Sequence, residues 1–194
     1  MGHPEEIAYA EIEQEFKETL GYIRQDIAAI RKKDLGLNYT VALLICCGCE
    51  AIAKHQGRPR HHVFTSLLPD QEPYKTLGKP MYEALRDGLA HGFRPKTVKV
   101  GRTLVRFTIS WRNGRHLSVL ENTHSWIVLN ILELENRLTA KIDEYQAELR
   151  QSGKTRSTFL ANSEKKITLE IREHEAPLIA SAWKAALRIG RGEQ

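Results

Sequence analysis

Residues 37–55 have the sequence LNYTVALLICCGCEAIAKH, which is apolar on nearly every side of a helix. A helix that is hydrophobic all round is buried among other elements instead of lying on a surface. Gly57 and Pro59 follow it, and both residue types end helices. We therefore predict a central helix over residues 37–55 around which the rest of the chain packs.

Amphipathic segments flank this central helix on both sides. Apolar side chains recur every three or four residues over residues 12–30, which predicts a long helix that ends near Gly36. After the central helix, residues 63–68 are expected to form no more than a short turn. Pro80 suits the first position of a third helix, which we expect to end at Gly92.

The sequence period changes to two after the third helix. Residues 105–111 alternate apolar and polar side chains, which predicts a strand with one buried face. Asn113-Gly114 is typical of a hairpin turn, and the alternation resumes over residues 117–119. Residues 97–100 add a third strand in this interpretation. We thus predict an inserted basic antiparallel β-hairpin of two or three short strands at about residues 97–120.

The clearest helical period follows the predicted hairpin. Asn122 or Thr123 is the expected N-cap, and apolar residues recur at helical spacing from Ile127 to Leu149. A further helical region is expected over residues 157–189, interrupted at Pro177.

The predicted fold is mainly α, a helical bundle with the inserted hairpin and extra C-terminal helices. We expect one domain over residues 1–194, with its core at about residues 5–150 and a C-terminal helical extension at residues 155–194. A chain of 194 residues is long enough for one good core.

Composition narrows the functional classes. No apolar run approaches the roughly 20 residues of a membrane-spanning helix, and the N-terminus with Glu5 and Glu6 is unlike a signal peptide. The three crowded cysteines, at positions 46, 47 and 49, argue against a disulfide framework. We expect a cytoplasmic protein that does not contact membranes.

The formal net charge is +5, but the charges are segregated along the chain. Residues 88–120 contain no acidic residue and hold seven cations, and residues 51–69 likewise contain none and hold three. These ten cations leave −5 for the rest of the chain. Concentrated positive charge attracts polyanions, so we predict contact with nucleic acid. The alternative is a solvated basic edge that only protects a strand from aggregation.

Each cation of the longer acid-free segment is a predicted contact to an RNA backbone. They are Arg94, Lys96, Lys99, Arg102, Arg106, Arg112 and Arg115. The shorter segment carries Lys54, Arg58 and Arg60, together with three histidines.

Residues 85–93, LRDGLAHGF, contain the pattern that carries chemistry. Arg86 and His91 have four residues between them, and Asp87 follows the arginine. Cleavage of RNA through its own 2′-hydroxyl needs a proton taken from that hydroxyl and one given to the leaving 5′-oxygen, and a histidine does either at neutral pH. A guanidinium stabilises the developing negative charge on the phosphate. This chemistry requires no metal.

The pattern resembles the signature of the HEPN superfamily, in which an Arg precedes a His by four to six intervening residues and a polar residue commonly follows the Arg. The resemblance covers residues 5–150. It implies a homodimeric endoribonuclease that cuts single-stranded RNA, acts as a toxin or defence component and has an antitoxin protein as a partner. It assigns His91 as acid or base, Arg86 as phosphate stabiliser and Asp87 as the orienting group.

Two other interpretations of the motif remain open. The chain is alternatively a non-catalytic HEPN-like module that binds RNA, nucleotides or a protein, or a purely structural dimer. In these cases Arg86 pairs with Glu83 or Asp87, and His91 only caps the helix. Residues five apart on a helix are separated by about 140° around its axis, so Arg86 and His91 do not share a face of an intact helix.

Weaker features concern metals and stacking. Cys46 and Cys49 have the spacing of a zinc knuckle but lie in an apolar helix, so we predict buried cysteines, no metal and no cofactor. Glu50 follows them and either reaches the site across the bundle or emerges into solvent, and we expect the latter. Tyr82 and Trp111 are able to stack on bases, although we expect both to pack internally.

Overall fold

The protein is described here by a computed structural model, and the structure describes residues 4–32, 38–100, 102–111, 115–121, 125–167 and 177. In chain order the elements are α1 (Pro4–Lys32), α2 (Asn38–His55), α3 (His61–Ser66), α4 (Tyr74–Gly92), β1 (Val98–Val100), β2 (Thr103–Ser110), β3 (Val119–Glu121), β4 (Ser125–Asn130), α5 (Ile131–Gln151) and α6 (Gly153–Ile167). The mainly helical fold with a small inserted β element is confirmed.

Helix α2 is the central element, as its apolar sequence predicts. It packs against α1, α3, α4 and α5, and its buried side chains include Val41, Ile45 and Ile52. Gly48 allows α5 to approach closely, since a Cβ atom at this position would lie 3.1 Å from Leu138 Cδ2. The prediction for residues 37–55 is therefore confirmed to within one residue.

Helix α1 is fixed to the bundle by both apolar and charged contacts. Phe16, Leu20 and Ile27 are buried in the core. On the outside of the bundle, the Arg24 guanidinium lies 2.7 Å from the Asp143 carboxylate of α5. The predicted end of this helix near Gly36 lies outside the described residues.

The four strands form one mixed sheet with the order β1-β2-β4-β3. Strands β1 and β2 are antiparallel, with Val98 opposite Val105. Strands β2 and β4 are parallel, with Phe107 opposite Ile127. Strand β3 lies at the far edge and pairs antiparallel with β4.

The predicted antiparallel pairing across Asn113-Gly114 is wrong. The segment after β2 hydrogen-bonds to β4 instead: Leu117 N–H donates to the Val128 carbonyl at 2.8 Å, and Val128 N–H donates to the Ser118 carbonyl at 2.9 Å. The hairpin that does form joins β1 to β2. Strand β1 is the segment that was predicted as a third strand. Asn113 and Gly114 themselves lie outside the described residues.

Two predicted helix boundaries are also wrong. Ile127 belongs to β4, and α5 begins at Ile131, where the Asn130 side chain accepts the Glu133 N–H at 3.3 Å. The expected caps at positions 122 and 123 lie outside the described residues. Pro80 lies inside α4, because this helix starts six residues earlier, at Tyr74.

The chain divides into two compact units, residues 1–163 and 164–194. In the first unit α6 packs on the end of α2, where His55 stacks on Phe159 with 4.8 Å between ring centroids. The Ser163 hydroxyl lies 2.9 Å from His55 Nδ1. In the second unit the structure describes only residues 164–167 and 177, so the predicted interruption of a long helix at Pro177 is not tested.

Candidate active site and nucleic-acid surface

The motif lies in the second half of α4, and the helix stays intact through both motif residues. Arg86 and His91 are both helical, and the helix continues to Gly92. Phe93 then adopts a left-handed conformation with φ 53°, and its N–H donates to the Leu89 carbonyl at 3.3 Å. His91 is thus fixed in the last helical turn, where the helix dipole favours positive charge.

The glycine of the motif has a steric role. A Cβ atom on Gly88 would lie 2.5 Å from the Lys96 amide nitrogen and even closer to the Arg94 carbonyl oxygen. The Lys96 N–H reaches past it and donates to the Ala84 carbonyl at 2.8 Å. The basic loop after α4, residues 93–97, therefore folds back onto the helix because residue 88 has no side chain.

The Arg86 side of α4 faces a buried carboxylate on α2. Glu50 is only 8% exposed, so the expectation that it emerges into solvent is wrong. Its Oε2 lies 3.4 Å from Arg86 Nε and accepts the Tyr82 hydroxyl at 3.2 Å. Its Oε1 lies 3.0 Å from Lys54 Nζ and 3.5 Å from Arg60 Nε. One carboxylate thus connects groups from α2, the α2–α3 loop and α4.

The charges in this cluster fix each other's ionisation. Burial opposes ionisation of Glu50, but Lys54, Arg86 and the Tyr82 hydroxyl outweigh it and lower the pKa of the carboxyl. Burial and the nearby carboxylate raise the pKa of the Tyr82 phenol, which stays protonated and donates its hydrogen bond. Burial opposes the charged form of Arg86, while Glu50 and Asp87 outweigh it and raise the pKa of the guanidinium.

Asp87 connects the Arg86 side of the helix to the basic loop. Its Oδ1 accepts a hydrogen bond from Arg86 Nη1 at 3.2 Å. Its Oδ2 lies 4.0 Å from Lys96 Nζ. The adjacent Arg–Asp pair anticipated in the sequence therefore forms, whereas Glu83 lies 3.9 Å from Lys79.

His91 lies on the other side of Asp87, in an open cleft of about 770 Å³. The cleft is bounded by the end of α4, the basic loop, the sheet and the start of α2. Its lining comprises Tyr39, Asp87, Gly88, His91, Gly92, Arg94, Pro95, Lys96, Thr97, Arg106, Phe107 and Trp126. His91 is exposed and, among the residues that the structure describes, has no hydrogen-bond or ion-pair partner.

The sheet contributes an aromatic ring with a cation above it. The Arg106 guanidinium lies 5.5 Å from the centroid of the Trp126 ring. Both residues line the cleft, and they occupy opposing positions of the parallel β2–β4 pair. Trp111, the stacking candidate considered in the sequence, instead packs against the core as we expected.

Arg86 and His91 do not converge within one chain. Arg86 points to Glu50 and Asp87, and it does not line the cleft that contains His91. Asp87 is the group that reaches both sides, because it bonds to Arg86 and also lines the cleft. The angular separation expected from an intact helix is therefore observed.

The predicted RNA-backbone cations divide into two groups. Arg94, Lys96 and Arg106 line the cleft with His91. Lys99, Arg102 and Arg115 are exposed but do not line it. Arg112 lies outside the described residues.

From the sequence, Glu50 was expected in solvent and Trp126 was not identified as a site residue. The helical period places Glu50 among apolar neighbours, and a carboxylate there signals a buried ion pair, since unpaired buried charges are costly. Trp126 was hidden because residues 125–130 were assigned to a helix. The continuous apolar run Ile127–Val128–Leu129 next to it was the available sign of a buried strand.

Cys46 and Cys49 lie in the core, as their apolar helix predicts. Cys46 and Cys49 are buried free thiols whose pKa values are raised by burial.

Within the described part of the chain, no group of three or more His, Cys, Asp or Glu side chains is arranged to hold a metal ion. No described helix is both long and apolar enough to cross a membrane. No protein-family model, curated protein or solved structure matches the chain significantly.

Proposed function

We propose that this protein is a metal-independent endoribonuclease of the HEPN type that cuts single-stranded RNA. One observation carries the proposal: an exposed histidine without a partner among the described residues shares a cleft with cations and an indole ring. Arg94, Lys96 and Arg106 supply contacts to phosphates, and Trp126 supplies a surface on which a base stacks. His91 at the same cleft supplies acid–base chemistry next to the bound strand.

In the proposed reaction the 2′-oxygen attacks the adjacent phosphorus while the bond from phosphorus to the 5′-oxygen breaks. His91 performs one of the two proton transfers, removal of the proton from the 2′-hydroxyl or protonation of the leaving 5′-oxygen, and water performs the other. The products are a 2′,3′-cyclic phosphate and a free 5′-hydroxyl. Asp87 orients the neighbouring cations through its contacts to Arg86 and Lys96.

The separation of Arg86 from the cleft favours a site composed of two chains. We propose a homodimer in which Arg86 of one copy faces the His91 cleft of the other, so that a guanidinium reaches the phosphate there. Mixed dimers test this arrangement directly. Co-expressed His91→Ala and Arg86→Ala chains should recover part of the cleavage that each variant lacks alone, because one of the two composite sites is then intact.

The activity is tested with pure protein, a mixed single-stranded RNA, low salt and excess chelator. Wild-type protein should produce 2′,3′-cyclic phosphate ends, and His91→Ala should reduce the rate by about 10²–10⁴. Undiminished cleavage by His91→Ala would show that the assignment is wrong. Arg150→Ala, which removes an exposed cation outside the cleft and outside both acid-free segments, is the matched control.

A second function is favoured by the ion pairs of Arg86. Its guanidinium contacts both Glu50 and Asp87, which is a structural use of the residue. In that case the protein is a non-catalytic module that binds RNA in the cleft. Salt-sensitive RNA binding without cleavage by wild-type protein would select it.

Under the first function we further propose a toxin or defence role, with an antitoxin that covers the cleft.

A further inference from the structure

The shorter acid-free segment, residues 51–69, has no part in the proposed reaction. The structure brings two of its cations to α4. Lys54 and Arg60 both contact Glu50 Oε1, at 3.0 and 3.5 Å. Arg86 contacts the other oxygen of the same carboxylate, at 3.4 Å. The two acid-free segments are far apart in sequence. In the structure the shorter one reaches Arg86 through Glu50, and the longer one reaches Asp87 through Lys96.

The contacts form a continuous series across α4. From Glu50 the series passes to Arg86, then to Asp87 at 3.2 Å, and then to Lys96 at 4.0 Å. Lys96 lines the cleft that also contains Arg106 and Trp126. No gap separates the cluster around Glu50 from the proposed RNA cleft.

The cations of this series are on the outside and its central carboxylate is not. The exposed fraction of the side chain is 45% for Lys54, 63% for Arg60 and 59% for Lys96, against 10% for Glu50. At the Lys54 and Arg60 end an approaching polyanion therefore meets cations first, because the carboxylate that holds them lies beneath them, whereas Asp87 in the middle of the series is 40% exposed. We name this set, from Lys54 and Arg60 through Arg86 to Lys96, the cationic track.

The track and the cleft together carry a strong positive excess. Six cations, Lys54, Arg60, Arg86, Arg94, Lys96 and Arg106, accompany the two carboxylates of Glu50 and Asp87. Ion pairs hold several of these cations in place before a ligand arrives, which reduces the entropy lost on binding. An aromatic ring at one end with a line of cations leading away from it is the usual composition of a single-strand binding groove.

We propose that a single RNA strand follows the cationic track, so that it stacks on Trp126, passes His91 and continues across α4 to Lys54 and Arg60. This inference rests on the proposed function and names its substrate class: single strands long enough to reach both ends, not dinucleotides. Lys54 and Arg60 contact phosphates remote from the cut, and their contribution appears in the binding of longer strands only.

The test measures binding of 2′-O-methyl RNA, which lacks the attacking hydroxyl and stays intact. Two probes are compared by fluorescence anisotropy, a dinucleotide and a strand of about 12 nucleotides, within the roughly 4–16 nucleotides of single-strand sites. The variant is Lys54→Ala/Arg60→Ala. The matched control is Lys32→Ala/Arg150→Ala, which removes two exposed cations that neither contact Glu50 nor line the cleft. A cooperative melting transition well above the assay temperature confirms that each variant is folded when binding is measured.

We expect the Lys54→Ala/Arg60→Ala variant to bind the long strand about tenfold more weakly than wild type at low salt. The slope of log K against log salt should fall by about 1.4, since each phosphate contact of a single strand contributes about 0.7. Dinucleotide binding should not change. Long-strand binding and slope equal to those of the control would overturn the track but leave the cleft as the RNA site. Failure of wild type to bind either probe at low salt would overturn both the track and the proposed function.

Discussion

Arg86 and His91 lie five residues apart on one helix, yet their surroundings are opposite. Arg86 is held between the Glu50 and Asp87 carboxylates, and the former is buried. His91 is exposed at an open cleft and has no bonding partner among the described residues. The first side of the helix is a closed network of charges, and the second side is an accessible surface.

This difference gives the two side chains different roles. Arg86 is held in position by its carboxylate partners, and His91 is accessible to a ligand. A guanidinium with two carboxylate partners has a fixed orientation and a pKa raised by those partners, so its charge is permanent. An imidazole without such partners remains able to exchange protons with a ligand. We therefore expect substitutions on the Arg86 side to change stability as well as activity, and substitutions on the His91 side to change activity alone.

The largest effect on stability should come from Glu50→Ala. Its removal leaves Arg86, Lys54 and Arg60 close together without their shared carboxylate. We expect the free energy of unfolding to fall by about 2–3 kcal/mol, somewhat less than the roughly 3–5 kcal/mol of a fully buried pair, because these cations remain partly hydrated. Urea unfolding measures it.

The control for that experiment is Glu144→Ala. Glu144 forms an exposed pair with Lys141 at 2.6 Å, and exposed pairs contribute about 0–1 kcal/mol. Equal losses in the two variants would contradict the distinction between a closed network and an ordinary surface pair.

Gly88→Ala should have the next largest effect. The added methyl group meets the backbone of Arg94 and Lys96, which cannot move aside like a flexible side chain. We expect a loss of about 1–3 kcal/mol, together with weaker RNA binding as the loop is displaced. Gly92→Ala in the same helix is the matched control, since its Cβ would meet nothing within 4 Å. If both glycine variants are equally stable, the loop is not held as described.

Acid should weaken the closed network when the Glu50 carboxylate becomes protonated. The pKa of Glu50 is lowered in the folded protein, so its stabilisation is present above the ordinary Glu pKa of about 4.3 and is lost as pH falls through the lowered value. Wild-type protein should therefore lose more unfolding free energy between about pH 5 and pH 3 than Glu50→Gln does. Parallel pH profiles of the two proteins would show that the carboxylate is not stabilised by its neighbours.

His91→Ala should have the smallest effect on stability. An exposed residue without partners among the described residues contributes within about 0.5 kcal/mol. The same urea unfolding experiment checks this value. A loss comparable to that of Glu50→Ala would mean that His91 is a structural residue, and the contrast between the two sides would disappear.

The longer helices were predictable because their signal is local, whereas the short helix α3, expected as a turn at residues 63–68, and the strand pairing were not. The apolar pattern of residues 37–55 and the period of residues 131–149 each lie within one element. Alternation over residues 105–111 predicts a buried face but not the neighbouring strand. The choice of β4 as the partner of β2 depends on burying Phe107 and Ile109 beside Val128 and Leu129, which is a property of the assembled sheet.

The site shows the same division. The positions of Arg86, Asp87 and His91 on one helix, and their failure to share a face, follow from spacing alone. The contact between Glu50 and Arg86 does not, because it depends on how α2 packs against α4. Trp126 was missed because its strand, β4, was predicted as part of a helix. The chemical roles of His91 and Arg86 and the RNA substrate remain predictions.

The hydrogen bond from the Lys96 amide to the Ala84 carbonyl sets the timescale on which the basic loop after α4 opens. An ordinary surface loop exchanges its amide hydrogens with water rapidly, because nothing protects them. The Lys96 amide is instead tied to the interior of a helix, across a glycine that leaves no room for water between them. It should exchange as slowly as the helix itself opens. The basic loop then behaves as a rigid extension of α4, and a bound strand meets a surface that is already in place.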